Sequence, residues 1–263
     1  MLLKLGMKSR EVYELQWQLK SLGYTLSADG IFGKGCQRAV MAFQSSQGLP
    51  SDGIAGPNTL AALSSAKPHP LYLNKQDIVT CATDLGVIPP SVLAVMTVES
   101  KGSGFLNGNP IILFERHLFY RELKRAGIDP EPIKAQHPDI CNTVTGGYTY
   151  GAGEWDRLQK AKSICESAAY ASASWGLFQI LGMHWSYLGC ASQADFVTRM
   201  STSEAEQLAL FTRFVKYNDV LTQSLKLQDW ASFAKGYNGP NYAKYHYDDI
   251  IKHAFDLHSA YWN

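Results

Sequence analysis

The chain has 263 residues, enough for one large domain or for a large domain with a small one beside it. Its composition is that of an ordinary globular protein, with 46% hydrophobic and 18% charged residues, and the formal net charge of +1 argues against nucleic acid as a partner. No window reaches the ~18 uninterrupted apolar residues of a transmembrane helix, so we expect no membrane insertion.

Two similar stretches make up most of the first 65 residues. "SLGYTLSADGIFGKGCQRAV" and "SQGLPSDGIAGPNTLAAL" share the frame Asp-Gly-Ile-x-Gly, followed by a short helix. The pairs Asp29-Gly30 and Asp52-Gly53 favour tight turns. The apolar residues at helical spacing around these turns are Val12, Leu15, Leu19, Leu22, Ala39, Val40 and Phe43. The pattern predicts a compact domain of about three helices and two tight loops over residues 1–65.

The doubled frame resembles the peptidoglycan-binding domain that is repeated across bacterial and phage cell-wall enzymes. The resemblance covers residues 5–63 and implies that this domain binds the cell wall. It places Asp29, Gly30, Asp52 and Gly53 in the wall-binding turns, although the residues themselves predict turns and nothing more. Bacterial peptidoglycan is therefore the expected partner.

A linker and a longer helical segment follow. Pro68 and Pro70 block regular structure, so residues 66–74 are expected to form a short, semi-rigid linker before a second domain at residues 75–263. The helices predicted there are Lys75 to Leu85, Ser91 to Glu99, Ser203 to Tyr217, Leu227 to Tyr237 and Tyr242 to Tyr261. Residues 100–160 are richer in glycine, proline and aromatics, which favours loops and a small β element. The predicted fold class is mainly α.

One of these helices ends on a carboxylate. In "PPSVLAVMTVESKGSGF", Val92, Val95 and Met96 share one face, and Glu99 is the next residue on that face. Burial and the negative end of the helix would both raise the pKa of Glu99, as a general acid for glycosidic cleavage requires. Alternatively, Glu99 could be capped by the Ser100 hydroxyl or face solvent at a frayed helix end, and periodicity alone favours neither.

Two motifs downstream bear on this choice. The segment "GLFQI" contains Gln179, and "YNG" contains Tyr237 and Asn238. Together with Glu99-Ser100, and in this order, they resemble the goose-type lysozyme and soluble lytic transglycosylase group. The resemblance implies a lysozyme-like domain in which Glu99 is the catalytic acid. It also implies that Ser100, Gln179, Tyr237 and Asn238 contact the sugar.

Longer stretches narrow the match. "NPIILFERHLFY" and "ASASWGLFQILGMHW" resemble the N-acetylmuramidase domain found C-terminal in many modular phage endolysins, over residues 75–263. The resemblance implies hydrolysis of the β-1,4 bond between N-acetylmuramic acid and N-acetylglucosamine for host cell lysis, with a water held by groups such as Gln179 or Asn238. Attack by the muramyl 6-hydroxyl, which would make a lytic transglycosylase, stays open, as does a non-catalytic wall-binding phage protein.

The motif "FERH" offers a second acid. Glu115 and His117 are two residues apart, so an extended segment would project both on one side. We expect Glu115 and His117 to support the sugar cleft rather than to catalyse, because the resembling family works with a single essential Glu. The alternative is a buried ion pair of Glu115 with Arg116 or another base.

The remaining expectations concern metals, thiols and location. No H-E-x-x-H pairing is present among the seven histidines, so neither a metal nor another cofactor is expected. Five widely spaced cysteines favour reduced, buried thiols. The start "MLLKLGMKSREVYELQ" lacks the apolar region of a signal peptide. We therefore expect a monomer that stays in the host cytoplasm until a separate pore-forming protein lets it reach the periplasm and cell wall.

Overall fold

The computed structural model describes residues 1–100 and 103–262, apart from the side chain of Ser100. The described chain is mainly helical, as predicted, with fourteen α-helices and five short strands. It divides into two compact units, residues 1–100 with 218–262 and residues 103–217. Within the described ranges no single helix has the length and apolar character to span a membrane, and one pair bent by 110° meets that measure only when its two helices are taken together.

The first unit begins with three helices, α1 (Arg10–Ser21), α2 (Lys34–Ser46) and α3 (Pro57–Ser65). Pro57 stands at the first position of α3, where its missing N–H has no helical partner to lose. The predicted apolar faces meet in one core, whose buried members are Leu3, Val12, Leu15, Leu19, Phe32, Cys36, Ala39, Val40, Phe43, Ala55 and Leu63. The prediction of a three-helix bundle is confirmed.

The next two helices of this unit are α4 (Lys75–Leu85) and α5 (Pro89–Ser100). Asn74 caps α4 through its side chain, which accepts hydrogen bonds from two backbone N–H groups of the first turn. Residues 91–96 of α5 are all buried, so this helix is apolar on every side rather than along one stripe. The predicted apolar face is therefore part of a helix that is enclosed by its neighbours.

The second unit contains all five strands. They are β1 (Phe105–Leu106), β2 (Asn109–Pro110), β3 (Ile112–Phe114), β4 (Ala173–Trp175) and β5 (Ile180–Leu181). The first two form a hairpin, and the other three form an antiparallel sheet in the order β3-β4-β5. Ser174 in the middle of this sheet lies opposite Leu113 on one side and Leu181 on the other. The predicted small β element is confirmed.

Six helices belong to the same unit as these strands. They are α6 (Arg116–Arg125), α7 (Glu131–Gln136), α8 (Gly153–Lys162), α9 (Glu166–Ala171), α10 (Gln193–Thr202) and α11 (Glu204–Tyr217). Three of them lie in residues 100–160 or just beyond, where the sequence favoured loops. The helical period is present in α6, whose Leu118, Phe119 and Leu123 are buried. The glycines and prolines on either side of α6 favour loops, and for this reason the sequence did not predict the helix.

A buried carboxylate holds part of the second unit together. Glu154 in α8 is fully buried and accepts hydrogen bonds from the backbone N–H groups of Phe114, Thr149 and Tyr150. It also pairs with Arg157 at 2.7 Å. Burial by itself raises the pKa of Glu154, but these hydrogen bonds and the arginine charge outweigh burial and lower it. Glu154 is therefore ionised and ties strand β3 to the loop before α8.

The chain returns to the first unit with three helices, α12 (Asp219–Leu227), α13 (Trp230–Asn238) and α14 (Tyr247–Tyr261). The helix predicted from Leu227 to Tyr237 begins later, because Asp229 caps α13. The helix predicted from Tyr242 is broken at His246, whose φ of +55° separates a short 3₁₀ turn from α14. Helix α14 packs along α5 and α13.

A buried histidine of α14 joins that helix to α1 and α5. His258 is 3% exposed, and its two ring nitrogens lie 3.0 Å from the Tyr13 hydroxyl and 2.9 Å from the Thr97 hydroxyl. Burial lowers the pKa of His258 to about 4, so the ring is neutral at pH 7. Tyr261, one turn further on, stacks on Tyr13 with ring centroids 5.7 Å apart. The three-helix bundle is therefore packed directly on α14.

The five cysteines form no disulfide. Cys36, Cys81, Cys141 and Cys190 are buried, and Cys165 is partly exposed. Burial raises the pKa of the Cys36 thiol to about 12 and that of Cys141 to about 11. These thiols stay protonated at neutral pH, in agreement with the predicted structural role.

Candidate active site

Glu99 lies in the last turn of α5, half-buried at the end of the enclosed part of that helix. Its Oε1 accepts a hydrogen bond of 2.8 Å from Asn238 Nδ2. Burial raises the pKa of Glu99 to about 7, while the bond from Asn238 stabilises the ionised form and works against burial. A carboxyl group with a pKa near 7 is partly protonated at neutral pH and can donate that proton to a leaving group.

Asn238 and Tyr237 reach this position from the end of α13. Asn238 is the last residue of the helix, and Gly239, with φ of +84°, turns the chain away. The ring of Tyr237 stacks on Phe233 at 5.6 Å, and Phe233 is fully buried. The fold therefore brings Asn238 into direct contact with Glu99, from which it is distant in sequence.

The Asn238 amide can serve both protonation states of Glu99. In the assigned orientation Nδ2 faces the carboxylate, and Oδ1 is buried without a hydrogen-bond partner in the described part of the chain. After a half-turn of the amide, Oδ1 could accept the proton of the neutral acid instead. An asparagine therefore suits a carboxyl group whose pKa lies close to the working pH.

One neighbour of Glu99 was not predicted from the sequence. Tyr247, the first residue of α14, is half-buried. Burial raises its pKa, and the negative charge of Glu99 raises it further, so the Tyr247 hydroxyl lies within electrostatic reach of the acid. No local pattern marks this tyrosine, because only the packing of α14 along α5 brings it there.

Glu115 and His117 form a cluster in the second unit. The Tyr148 hydroxyl donates to both carboxylate oxygens of Glu115, at 3.0 and 2.9 Å, and His117 Nδ1 lies 3.2 Å from Oε2. The base within ion-pair distance of Glu115 is thus His117 rather than Arg116, whose guanidinium donates to backbone carbonyls. The expectation of an extended segment is wrong, since His117 lies in α6, and it is the first turn of that helix that brings the two side chains together.

Gln179 also lies in the second unit, in the turn between β4 and β5. Its Oε1 accepts from Ser174 Oγ and its Nε2 donates to the Gly176 carbonyl, both at 2.8 Å. Its φ of +48° is in the left-handed region, which costs a non-glycine residue roughly 1–3 kcal/mol. Gln207 fixes the same turn by accepting from Leu177 N at 2.7 Å. The backbone strain at Gln179 is therefore held by a rigid surrounding turn.

The predicted wall-binding turns are built alike. Gln16 Oε1 accepts from the N–H groups of Asp29 and Gly30, and its Nε2 donates to Asp29 Oδ1. Gln44 bonds the second turn in the same way, through Gly53 N and Asp52 Oδ1. Both glycines have positive φ, +74° and +72°, which a turn of this shape requires. The clamping glutamines were not predicted, because they lie on the preceding helices and carry no turn signal of their own.

The structure thus distributes the predicted site residues over both units. Glu99, Tyr237 and Asn238 belong to the first, with Glu99 and Asn238 in contact. Glu115, His117 and Gln179 belong to the second, with the first two paired. The side chain of Ser100 lies outside the described residues, so its predicted sugar contact stays a prediction.

Residues 88–259 match the family model described as N-acetylmuramidase. The chain belongs to the N-acetylmuramidase family. Residues 8–63 of this muramidase match a second model, described as a peptidoglycan binding domain. The crystal structure of Burkholderia AP3 phage endolysin is 43% identical to the muramidase, with a TM-score of 0.72 over 99% of this chain and 100% of that one.

Curated relatives of the muramidase share a shorter segment. The "Probable N-acetylmuramoyl-L-alanine amidase" of Bacillus licheniformis is 41% identical over 69 residues, and the spore cortex-lytic enzyme of Bacillus cereus is 43% identical over 65. These segments are 25% and 24% of this chain, and the chain spans about a fifth to a quarter of the length of those relatives. The family matches establish a muramidase-type glycoside hydrolase with an adjoining peptidoglycan-binding domain, as predicted.

Proposed function

We propose that this muramidase is an endolysin that cleaves the β-1,4 bond between N-acetylmuramic acid and N-acetylglucosamine, with Glu99 as the general acid. The observation that carries the proposal is the half-buried Glu99, whose pKa is raised to about 7 beside the Asn238 amide. The likeness to a phage endolysin over the whole chain supports the role in host lysis.

In the proposed reaction, Glu99 transfers its proton to the glycosidic oxygen as the bond to the anomeric carbon breaks. Water then adds to that carbon, and its proton returns to Glu99. Of the two amides predicted to hold this water, Asn238 is the better candidate, because it lies against the acid, with Nδ2 2.8 Å from Glu99 Oε1. The Gln179 amide is bonded at both ends within its own turn.

A matched pair of variants tests the role of Glu99. Glu99→Gln keeps the shape of the side chain but carries no proton to donate, so clearing of outer-membrane-stripped sacculi is expected to slow by roughly 10²–10⁴-fold. Glu166→Gln, which changes an exposed acid of the second unit, is the control and is expected to clear at the wild-type rate. Equal rates for both variants would show that Glu99 is not the general acid.

The bond and the nucleophile are tested by mass spectrometry of the released fragments. Reducing-end muramic acid is expected, because hydrolysis leaves that sugar with a free anomeric carbon. A 1,6-anhydro end would show attack by the sugar's own hydroxyl, as in a lytic transglycosylase. Reducing-end glucosamine would contradict the proposed bond altogether.

Three further properties stay proposals. Retention in the host cytoplasm, release through a pore made by a separate protein, and a monomeric state all follow from the proposed role of an endolysin. Light scattering of the purified full chain tests the monomer directly, and a mass of twice 29.1 kDa would refute it.

A further inference from the structure

The two repeats of the wall-binding domain differ in what covers them. Tyr13, three residues before the clamping Gln16, is fully buried against α14. Gly30 in the first turn lies so close to α14 that an added Cβ would be 2.6 Å from the ring of Tyr261. The first repeat therefore serves as the surface on which α14 packs.

The second repeat leaves the same face open. Met41, three residues before the clamping Gln44, is 40% exposed. The atoms closest to an added Cβ at Gly53 belong to Gln37 and Met41, both on the neighbouring helix α2 of the same domain. The first turn thus packs against α14 through Gly30, whereas the atoms nearest Gly53 in the second turn belong to its own domain.

A cavity of about 370 Å³ lies beside the second turn. Leu49, Ile54 and Pro57 give it an apolar side, and Asp52 and Asn58 give it a polar side. A cavity of this volume accommodates a small-molecule group and not a whole polymer. The lining combines a surface for a methyl or ring group with one carboxylate.

One of the two carboxylate oxygens of Asp52, Oδ2, is available to a ligand. Its Oδ1 accepts from Gln44 Nε2 and from Ile54 N, both at 2.9 Å, whereas Oδ2 has no hydrogen-bond partner among the described residues. The hydrogen bond from Ile54 N, followed by that from Gln44, lowers the pKa of Asp52, so the carboxylate is ionised at neutral pH. An ionised oxygen is a strong acceptor for an N–H donor.

We propose that this cavity is the ligand site of the wall-binding domain and that it takes a wall group with an amide N–H beside a methyl group. The amide would donate to Asp52 Oδ2 while the methyl packs on Leu49 and Ile54. Peptidoglycan carries this chemistry in two places, the N-acetyl groups of its sugars and the alanine of its peptide stem. The inference rests on the proposed function, because it takes the cell wall as the ligand.

The test uses the full chain carrying Glu99→Gln, which preserves the ligand, and two methyl probes. Chitotetraose or muramyl dipeptide is titrated while the Ile δ1-methyl NMR signals are followed. Ile54 lines the cavity, and Ile31 stands at the same place in the first repeat. The Ile54 signal is expected to shift and saturate, and that of Ile31 is expected to stay in place. A shift with chitotetraose identifies the N-acetyl group, and a shift with muramyl dipeptide alone identifies the stem.

A matched pair of substitutions tests the carboxylate. Asp52→Asn keeps the Oδ1 acceptor of the turn and removes the charge, so the dissociation constant read at Ile54 is expected to rise about tenfold. Glu11→Gln removes the charge of an exposed carboxylate of the same domain that does not line the cavity, and it is expected to leave that constant within about twofold. Asn58→Trp places a ring at the exposed wall of the cavity and leaves the turn intact, and it is also expected to weaken binding of the ligand.

Two results would overturn the inference. One is an Ile54 signal that does not move with either ligand, and the other is equal weakening of binding by Glu11→Gln and Asp52→Asn. Wild-type cleavage of sacculi, measured separately, distinguishes this failure from a failure of the proposed function. If wild type cleaves and Ile54 does not respond, the cavity assignment alone is wrong.

Discussion

The hydrogen bond from Asn238 to Glu99 makes a testable prediction about the pH dependence of lysis. Asn238→Ala removes the Nδ2 donor, which is 2.8 Å from Oε1 and stabilises the ionised acid. Without that donor, burial raises the pKa of Glu99 unopposed, so the acid keeps its proton to higher pH. The alkaline limb of the activity profile, set by loss of that proton, is expected to move upward.

The size of the shift follows from the contact. A hydrogen bond to a charged group contributes about 1.5–3 kcal/mol when buried, and each pKa unit corresponds to about 1.4 kcal/mol. Because Glu99 is only half-buried, solvent replaces part of the lost bond, and a shift of about one unit is expected. The alkaline midpoint, near the wild-type pKa of about 7, should therefore rise to about 8.

The assay is the initial rate of sacculus clearing at limiting substrate, measured across the pH range for wild type and variant. Asn241→Ala is the control, because it removes another asparagine of the same unit at an exposed position. Its midpoint should match that of wild type. An unchanged midpoint for Asn238→Ala, or one that moves to lower pH, would refute the assignment of this bond as a stabiliser of the ionised acid.

Two predictions concern stability. Glu154→Gln leaves Arg157 buried without its partner, so the free energy of unfolding in urea should fall by about 3–5 kcal/mol, and a loss below 1 kcal/mol would contradict the ion-pair network. His258 has a folded pKa of about 4, below the ~6.5 of the unfolded chain, so its contribution is present above pH 6.5 and is lost as pH falls, by about 2 kcal/mol at pH 5. The raised pKa of Glu99 has the opposite effect on stability, so the free energy of unfolding is measured at pH 7 and at pH 5 for both wild type and His258→Gln. The wild type is expected to lose more stability between these two pH values than the variant. An equal loss in both proteins would refute the contribution of His258.

The two turns show which part of the wall-binding domain the sequence predicts. Asp29-Gly30 and Asp52-Gly53 are local signals, because the preference for a tight turn belongs to the dipeptide itself. Their clamps, Gln16 and Gln44, are contacts between a helix and a later loop, for which no short-range pattern exists. The difference in exposure between the two repeats depends on α14, which lies at the other end of the chain.

The residues around Glu99 also separate into those that the sequence predicts and those that only the fold brings together. The end of α5 and the burial of Glu99 follow from an apolar run stopped by glycines, so the sequence indicates the acid and the direction of its pKa. Asn238 was predicted as a site residue only through the family resemblance, and no sequence pattern indicated Tyr247. The sequence could not show that "FERH" is the start of a helix. Two residues at i and i+2 lie on one side of a strand, but the same spacing also occurs where a chain enters a helix such as α6.

The packing of α14 bears on how this enzyme can be recombined. Wall-binding domains are attractive units for exchange, and the stretch at residues 66–74 looks like the natural cutting point. A chimera cut there would lose Tyr13 and leave His258 without one hydrogen-bond partner and Tyr261 without its stacking partner. The same helix begins with Tyr247, which lies within electrostatic reach of Glu99, and its 15 residues span about 22 Å. An exchanged binding domain would therefore need a matching α1 surface to keep α14 in place.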